Sequence, residues 1–425
     1  MDPNSKFRVV FYDPSGHGGI CHYTYQLAES LARSGVDVTV LTTQGYELAH
    51  LERNFKLKIL FKKSATKAFA ERLISWAAQQ SLGDGSRHTT AQTSRTLNQE
   101  IRTPRFLKRW RLRFLFCRQA LAFLWRRPNL IHIQWLMDRR EDYIFLILLK
   151  FFGFTVVYTA HDLLPNTNAS TDDYRLLKRI YRKVDAIIVH GERSKNEIIE
   201  LFSLDPDHIR VIPHGSNDLL FRHKFISKET AKSELAIDPS KKVILFFGII
   251  KRYKGLEYLA QAFEQVRAQL DNVVLLVVGR IYDSDADGFG FYSALIERLR
   301  ERQDVLCFPD YVQLEKIGLY FSASDLVVLP YTQTHTSGIL LTAYAAGRPV
   351  VVTDTGSLSE AVEPGKSGLV VPPKKTEALT QAIVDILERS DLEEMGRYAR
   401  HLAEAKYSWS TIAAETRDLY RSLTS

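Results

Sequence analysis

Short runs of β-branched and aromatic residues recur along this chain with helix-length amphipathic segments between them, an alternation that points to a parallel-sheet α/β architecture. Strand patterns at 8–12 and 36–41 flank a helical pattern over 22–34 and make one strand–helix–strand unit. Further strands read at 130–134, 155–160, 186–190 and 210–212, with helices over 174–183 and 194–202. After Pro213, His214 and Gly215 a polar stretch leads into a second alternation, with strands at 243–247, 273–278, 305–308, 326–329, 350–353 and 369–371. The expectation is an N-terminal Rossmann-like domain over 1–216, a C-terminal one over 217–404, and a last helix over 405–425 packing back on the first. A chain of 425 residues is long enough for two such cores. Residues 81–96, rich in Ser, Thr, Gly and Gln without apolar periodicity, read as an inserted loop.

Two parallel sheets place helix N-termini at their carboxyl edges, where phosphate groups bind, so the chemistry is expected in a cleft between the domains. Three cysteines, Cys21, Cys117 and Cys307, show no metal or disulfide spacing. The longest apolar stretch, 143–154, contains Lys150 and falls short of the ~20 residues that cross a bilayer. The polar start followed directly by a core strand does not read as a signal peptide, which predicts a cytoplasmic protein.

Four segments carry candidate chemistry. The turn Gly16-His17-Gly18-Gly19 follows the first strand and opens a helix, so its backbone can approach an anion or a sugar hydroxyl. A tight structural turn explains it equally well, and the missing GxGxxG spacing with Thr42-Thr43 at the next strand end argues against NAD. Lys251-Arg252-Tyr253-Lys254-Gly255 puts three cations at a strand-to-helix turn, suited to a diphosphate, where the plain alternative is a solvated basic loop. Thr336-Ser337-Gly338 opens another helix, offering a Ser N-cap and first-turn amides, with simple capping as the alternative. His161-Asp162 ends a strand at the sheet's carboxyl edge, where a structural hydrogen bonder is the bland reading.

In order and spacing, GHGGICHYTYQLAESLARSGVDVTVLT, TAHDLLP, VIPHGSNDLLF, FFGIIKRYKGLEYLAQAF, VVLLVVGR and ASDLVVLPYTQTHTSGILLTAYAAGRPVVVTDTGSLSEAVEPGKSGLVVPP resemble glycosyltransferase family 4. That resemblance implies the GT-B fold, two Rossmann-like domains facing across a cleft, and transfer from a nucleotide-sugar with retention at the anomeric carbon. It places Gly18 and Gly19 against the donor diphosphate or the acceptor, His161 near the reacting sugar, and Lys254 on the diphosphate. The amides of Gly338, Ile339 and Leu340 complete the cradle after Ser337. The family's paired glutamates fall on Thr334 and Thr342, so a hydroxyl of Thr342 would stand where a carboxylate meets the nucleotide ribose. Its frequent arginine falls on Ile249, leaving Arg252 or Arg280 as substitutes. The implied chemistry needs no metal and no cofactor beyond the nucleotide-sugar co-substrate.

The net charge of +8 is uneven: residues 102–127 hold nine basic and no acidic side chains. Interleaved with Phe and Trp, this stretch suits an anionic membrane surface, with Arg109, Trp110, Arg111 and Arg113 as contacts. A core helix with snorkelling arginines is the alternative, and nucleic acid is not expected as a partner. The combined expectation is a hexosyltransferase acting on a lipid-linked or saccharide acceptor in polysaccharide or glycolipid biosynthesis, peripheral on the inner membrane face. A catalytically silent binding subunit and a GT-B sugar-nucleotide epimerase are the competing classes.

Overall fold

The computed structural model describes residues 6–61, 105–164, 170–217, 219, 226–282 and 286–425. The inserted loop expected over 81–96 lies outside the described residues. The chain divides into two compact units, Met1–Thr159 with Ser170–Ile187 and Tyr420–Ser425, and Ala160–Ala169 with Ile188–Leu419.

The first sheet runs β3-β2-β1-β4-β5-β6-β7 through β1 (Arg8–Tyr12), β2 (Asp37–Thr43), β3 (Lys56–Phe61), β4 (Leu130–Ile133), β5 (Val156–Thr159), β6 (Ala186–Val189) and β7 (Ile209–Val211). Its ladders β1–β2, β1–β4, β2–β3 and β4–β5 are parallel. The described helices between them are α1 (Gly18–Arg33), α2 (Arg105–Arg126), α3 (Arg139–Phe151), α4 (Thr171–Tyr181) and α5 (Glu192–Phe202). Strands β4, β5 and β6 are buried throughout, as a sheet covered on both faces requires. Phe116 of α2 stacks on Phe145 of α3 at 4.5 Å, against Tyr12 of β1.

The second sheet runs β10-β9-β8-β11-β12-β13 through β8 (Lys242–Phe247), β9 (Val273–Val278), β10 (Val305–Phe308), β11 (Leu326–Leu329), β12 (Val350–Thr353) and β13 (Gly368–Val371). Its helices are α6 (Lys228–Glu234), α7 (Leu256–Arg267), α8 (Ala286–Arg300), α9 (Leu314–Ala323), α10 (Gly338–Ala345), α11 (Thr376–Glu388), α12 (Leu392–Glu404) and α13 (Trp409–Thr424). Strand residues alternate between two cores: Ile244, Phe246, Leu275 and Val277 pack with α7, α8 and α11, whereas Val243, Leu245, Leu276 and Val278 pack with α9, α10 and α12.

All six strands expected in the second half are present. In the first half β3 is an addition: its Lys-Leu-Lys-Ile-Leu-Phe run lacks a β-branched cluster and lies at the end of the sheet order. Helix α1 begins at Gly18, one turn before the apolar pattern starts. The division between units falls inside β6, not at residue 216. The open first turn of α5 gives the amides of Glu192 and Arg193 to the Glu360 carboxylate at 2.8 and 2.7 Å, and Ser194 bonds Ser357, which ties α5 to loops of the second sheet. The last helix expected over 405–425 is α13, whose Tyr420 hydroxyl lies 2.6 Å from His132 of β4.

Candidate active site

In the second sheet the strand order reverses between β8 and β11, so the loops leaving these neighbours flank the switch point where ligands collect in such sheets. Two features press the loops together. Gly255 has φ +65°, and a Cβ there would stand 2.0 Å from the Pro330 carbonyl. The Thr332 amide donates to the Tyr253 carbonyl at 2.8 Å. The single turn Arg252–Lys254 is thereby held against the segment leaving β11, and Lys254 Nζ sits 3.7 Å from the centre of the Tyr331 ring. Lys251 Nζ lies 3.8 Å from the centre of the Tyr282 ring. Burial lowers the pKa of both lysines, partly offset by the negative charge of Asp162. Neither forms an ion pair among the described residues, and each repels the other. Two half-buried ammonium groups without a carboxylate partner form a ready anion site.

Helix α10 starts beside them. A Cβ on Gly248, at the end of β8, would lie 3.8 Å from the Ile339 side chain in the helix's first turn. Ser337 occupies the N-cap position with extended backbone, but its side chain caps no amide and its hydroxyl lies 3.4 Å from that of Tyr331. Simple side-chain capping, the alternative reading of Ser337, is therefore absent, which leaves the first-turn amides of Gly338, Ile339 and Leu340 to another acceptor. Arg252, expected on the donor, is exposed, as are Arg280 and Ile249. Lys251 is instead the second partly buried cation of the turn, close enough to Lys254 to feel its charge.

The two threonines at the family's glutamate positions turn inward. Thr334 donates to the Thr336 carbonyl at 2.8 Å. Thr342 is buried, donates to the Gly338 carbonyl at 2.8 Å and accepts from Asn217 Nδ2 at 3.0 Å. The hydroxyl thus spends its proton on the Gly338 carbonyl and one of its two lone pairs on Asn217, which braces the first turn of α10.

His161 follows β5 and enters a line of histidines. Its Nδ1 lies 3.1 Å from His190 Nε2, and the His190 ring meets the His214 ring at 5.4 Å between centres. His214 in turn lies beside Gly338, where an added Cβ would be 3.6 Å from the imidazole. His161 and the opening of α10 therefore belong to one packed array. Sequence reasoning missed His335, buried between Asp162 at 3.8 Å and Glu197 at 3.6 Å. Burial pulls its pKa down, but the two carboxylates outweigh that and hold it at about 9.

Residues 17–218 match the model described as Glycosyltransferase Family 4, and residues 241–389 match that of Glycosyl transferases group 1. The chain belongs to glycosyltransferase family 4. Its relatives include the D-inositol 3-phosphate glycosyltransferase of Segniliparus rotundus, 28% identical over 68% of this chain and 64% of that protein, and that of Corynebacterium jeikeium, 30% identical over 63% and 66%. The chain thus spans less than two thirds of these relatives' own length. Solved structures sharing its architecture include sucrose-phosphate synthase from Thermosynechococcus elongatus (TM-score 0.72, 22% identity, 98% of this chain and 99% of that one) and HepE from Anabaena with UDP and glucose (0.72, 17%, 97% and 99%). WaaG, a glycosyltransferase of lipopolysaccharide biosynthesis, aligns at 0.62 with 18% identity over 97% and 99%. The architecture is the GT-B fold.

In this family 4 chain the glycine turn of the first unit is partly occupied from within. Gly16 has φ +67° and no room for a Cβ against Thr43. The Gly18 amide, expected on the donor or acceptor, donates to Glu47 Oε2 at 2.7 Å, and the same carboxylate lies 3.4 Å from His22 Nε2. Glu47 so fills the anion position at the start of α1, whereas Gly19 borders open space.

The basic helix α2 is divided. Arg113 makes a bidentate pair with buried Glu141 at 2.8 and 3.1 Å, and Arg109 approaches the same carboxylate at 3.7 Å. These two expected membrane contacts, Arg109 and Arg113, thus pair with Glu141 while their side chains stay 41% and 46% exposed. Trp110, Phe114 and Trp125 are 68%, 69% and 86% exposed, while Phe116, Ala120 and Phe123 enter the core. The Arg111 side chain lies outside those described. Among the described residues no helix is long and apolar enough to cross a membrane.

Proposed function

We propose that this chain is a retaining glycosyltransferase that moves a hexose from a nucleotide-sugar to a lipid-linked or saccharide acceptor. The observation that carries the reading is the pair of half-buried ammonium groups, Lys251 and Lys254, beside the uncapped first turn of α10. A sugar-nucleotide diphosphate has the charge for that site. As the bond from the anomeric carbon to the β-phosphate oxygen breaks, charge grows on that oxygen, and fixed cations and amides stabilise it. The acceptor hydroxyl bonds to the same face of the anomeric carbon, and its proton passes to the departing diphosphate. His161 stands at the reacting sugar, and the scheme needs no metal. The UDP and glucose held by HepE make uridine nucleotides the first donors to examine.

Saturation-transfer NMR against a panel of nucleotide-sugars and nucleoside diphosphates tests this. Binding of one donor that weakens in Lys254→Ala is the expected outcome, and no binding to any overturns it. Thr334 and Thr342, both turned to backbone, favour a second reading as a silent binding subunit, which would bind a nucleotide-sugar yet release no nucleoside diphosphate with any acceptor.

The exposed aromatic face of α2 supports peripheral contact with an anionic membrane, where lipid-linked acceptors reside. Trp110 and Trp125 insert at the interface, with the remaining arginines of the helix near lipid phosphates. Flotation with anionic liposomes measures this directly.

A further inference from the structure

We propose that His190 is a positioning residue that fixes the tautomer of His161, so that the His161 ring presents Nε2 as a hydrogen-bond acceptor to a hydroxyl of the donor sugar. The assignment follows from which atoms can donate. His190 Nδ1 lies 3.0 Å from the Ile212 carbonyl oxygen, which can only accept, so Nδ1 carries the hydrogen. The ring is buried and burial lowers its pKa to about 3, so it is neutral and its Nε2 holds a lone pair. The atom 3.1 Å from that lone pair is His161 Nδ1, which must then be the donor. A neutral His161 consequently keeps its hydrogen on Nδ1, and Nε2 is the acceptor.

The chain of constraint is rigid. The Ile212 carbonyl belongs to the segment just after β7, and the Ile212 amide is itself bonded to the Val189 carbonyl at 2.9 Å, next to His190. On its far side His190 meets the His214 ring, whose Nδ1 donates to the Gly215 carbonyl at 2.7 Å by the same logic. Two backbone carbonyls thus set the hydrogens of His190 and His214, and His190 passes the setting to His161. For the donor this is a choice of chemistry: a sugar hydroxyl can donate to Nε2, whereas an uronate carboxylate would meet it lone pair to lone pair. The structure therefore points to a neutral hexose over its uronic acid.

The inference rests on the reading of His161 as the residue at the reacting sugar, and the test separates the two. Long-range ¹⁵N correlation spectra of the full chain with labelled histidine report which imidazole nitrogen carries hydrogen, and the wild-type spectrum suffices. The expected result is His161 with hydrogen on Nδ1 only; hydrogen on Nε2 only overturns the proposal. Release of UDP from UDP-glucose then supplies the functional reading. In His190→Leu the His161 signature should change and kcat should fall on the order of 10–100-fold, as when an orienting partner of a working histidine is lost, with KM little altered. His190→Gln, whose amide oxygen can accept from His161 Nδ1, should restore most of that loss. Equal damage in the Leu and Gln variants, with both folded, refutes the positioning role. If His161→Ala turns over UDP-glucose like wild type, the catalytic reading of His161 fails while the spectrum still decides the tautomer.

Discussion

Replacing Lys254 by Met removes one ammonium group and keeps most of the stem that packs on Tyr331. The attraction lost is gross Coulomb energy of about 4 kcal/mol for one charge pair at 4 Å with an effective dielectric of 20. Most of it is cancelled by the water a diphosphate gives up, and charge-assisted hydrogen bonds retain about 1.5–3 kcal/mol. That is roughly 10- to 150-fold in Kd. Lys254 is already partly desolvated, as the downward shift of its pKa shows, so it has less hydration left to lose on binding. Lys251→Met should fall in the same range. Arg252→Met should cost about fivefold at most, because an exposed cation contributes 0–1 kcal/mol. Isothermal titration of the preferred nucleoside diphosphate at two salt concentrations supplies the comparison. The exposed arginine's contribution should fade as salt rises and those of the lysines should persist. Loss in Arg252→Met equal to that in Lys254→Met, or binding by Lys254→Met within twofold of wild type, would refute the placement of the diphosphate.

Thr342→Val removes a hydroxyl that accepts from buried Asn217, so thermal unfolding should show about 1–3 kcal/mol of destabilisation with nucleotide affinity nearly unchanged; the reverse pattern would return Thr342 to the ribose. His335 has a folded-state pKa of about 9 against 6.5 for a free imidazole, so its contribution to stability is complete below pH 6.5 and is lost as pH rises through 9. Urea midpoints measured from pH 6 to 9.5 should fall more steeply in wild type than in His335→Asn. On α2, Trp110→Ser with Trp125→Ser should weaken flotation on anionic liposomes and leave stability unchanged. Arg113→Ala should instead lower the melting temperature, because it exposes the buried Glu141 charge to a poorer partner.

The same residues show what a linear reading can reach. Strands buried on both faces, such as the unbroken Val-Val-Leu-Leu-Val-Val of β9, announce themselves because nothing polar interrupts them. β3 does not, because a strand at the end of the sheet order tolerates lysines at alternate positions. Within the site, positions fixed by backbone need were legible: Gly255 must adopt φ +65°, so the turn that presents Lys254 follows from its glycine. Side-chain direction was not. Lys251 and Arg252 are adjacent cations at one turn, yet Lys251 lies over the distant Tyr282 ring and Arg252 faces solvent. Partners distant in sequence were equally hidden, as with Glu47 on Gly18 and Glu141 beneath Arg113.

The lost glutamates acquire a physical meaning from this geometry. Next to Thr334, His335 draws Asp162 and Glu197 to itself, so negative charge returns to the neighbourhood of α10 from different elements and at a distance set by an imidazolium. Asp162 is also the carboxylate whose charge reaches both Lys251 and Lys254. Neutralising it by Asp162→Asn should therefore act in two directions at once: it removes an attraction that competes with the diphosphate for the lysines, and it leaves His335 with one carboxylate instead of two. Tighter binding of a nucleoside diphosphate together with a lower pKa for His335 is the outcome this coupling demands, and ¹⁵N titration of the histidines alongside calorimetry measures both. If affinity falls instead, Asp162 contacts the donor directly and the charge lost with the glutamates has been restored at the ligand itself.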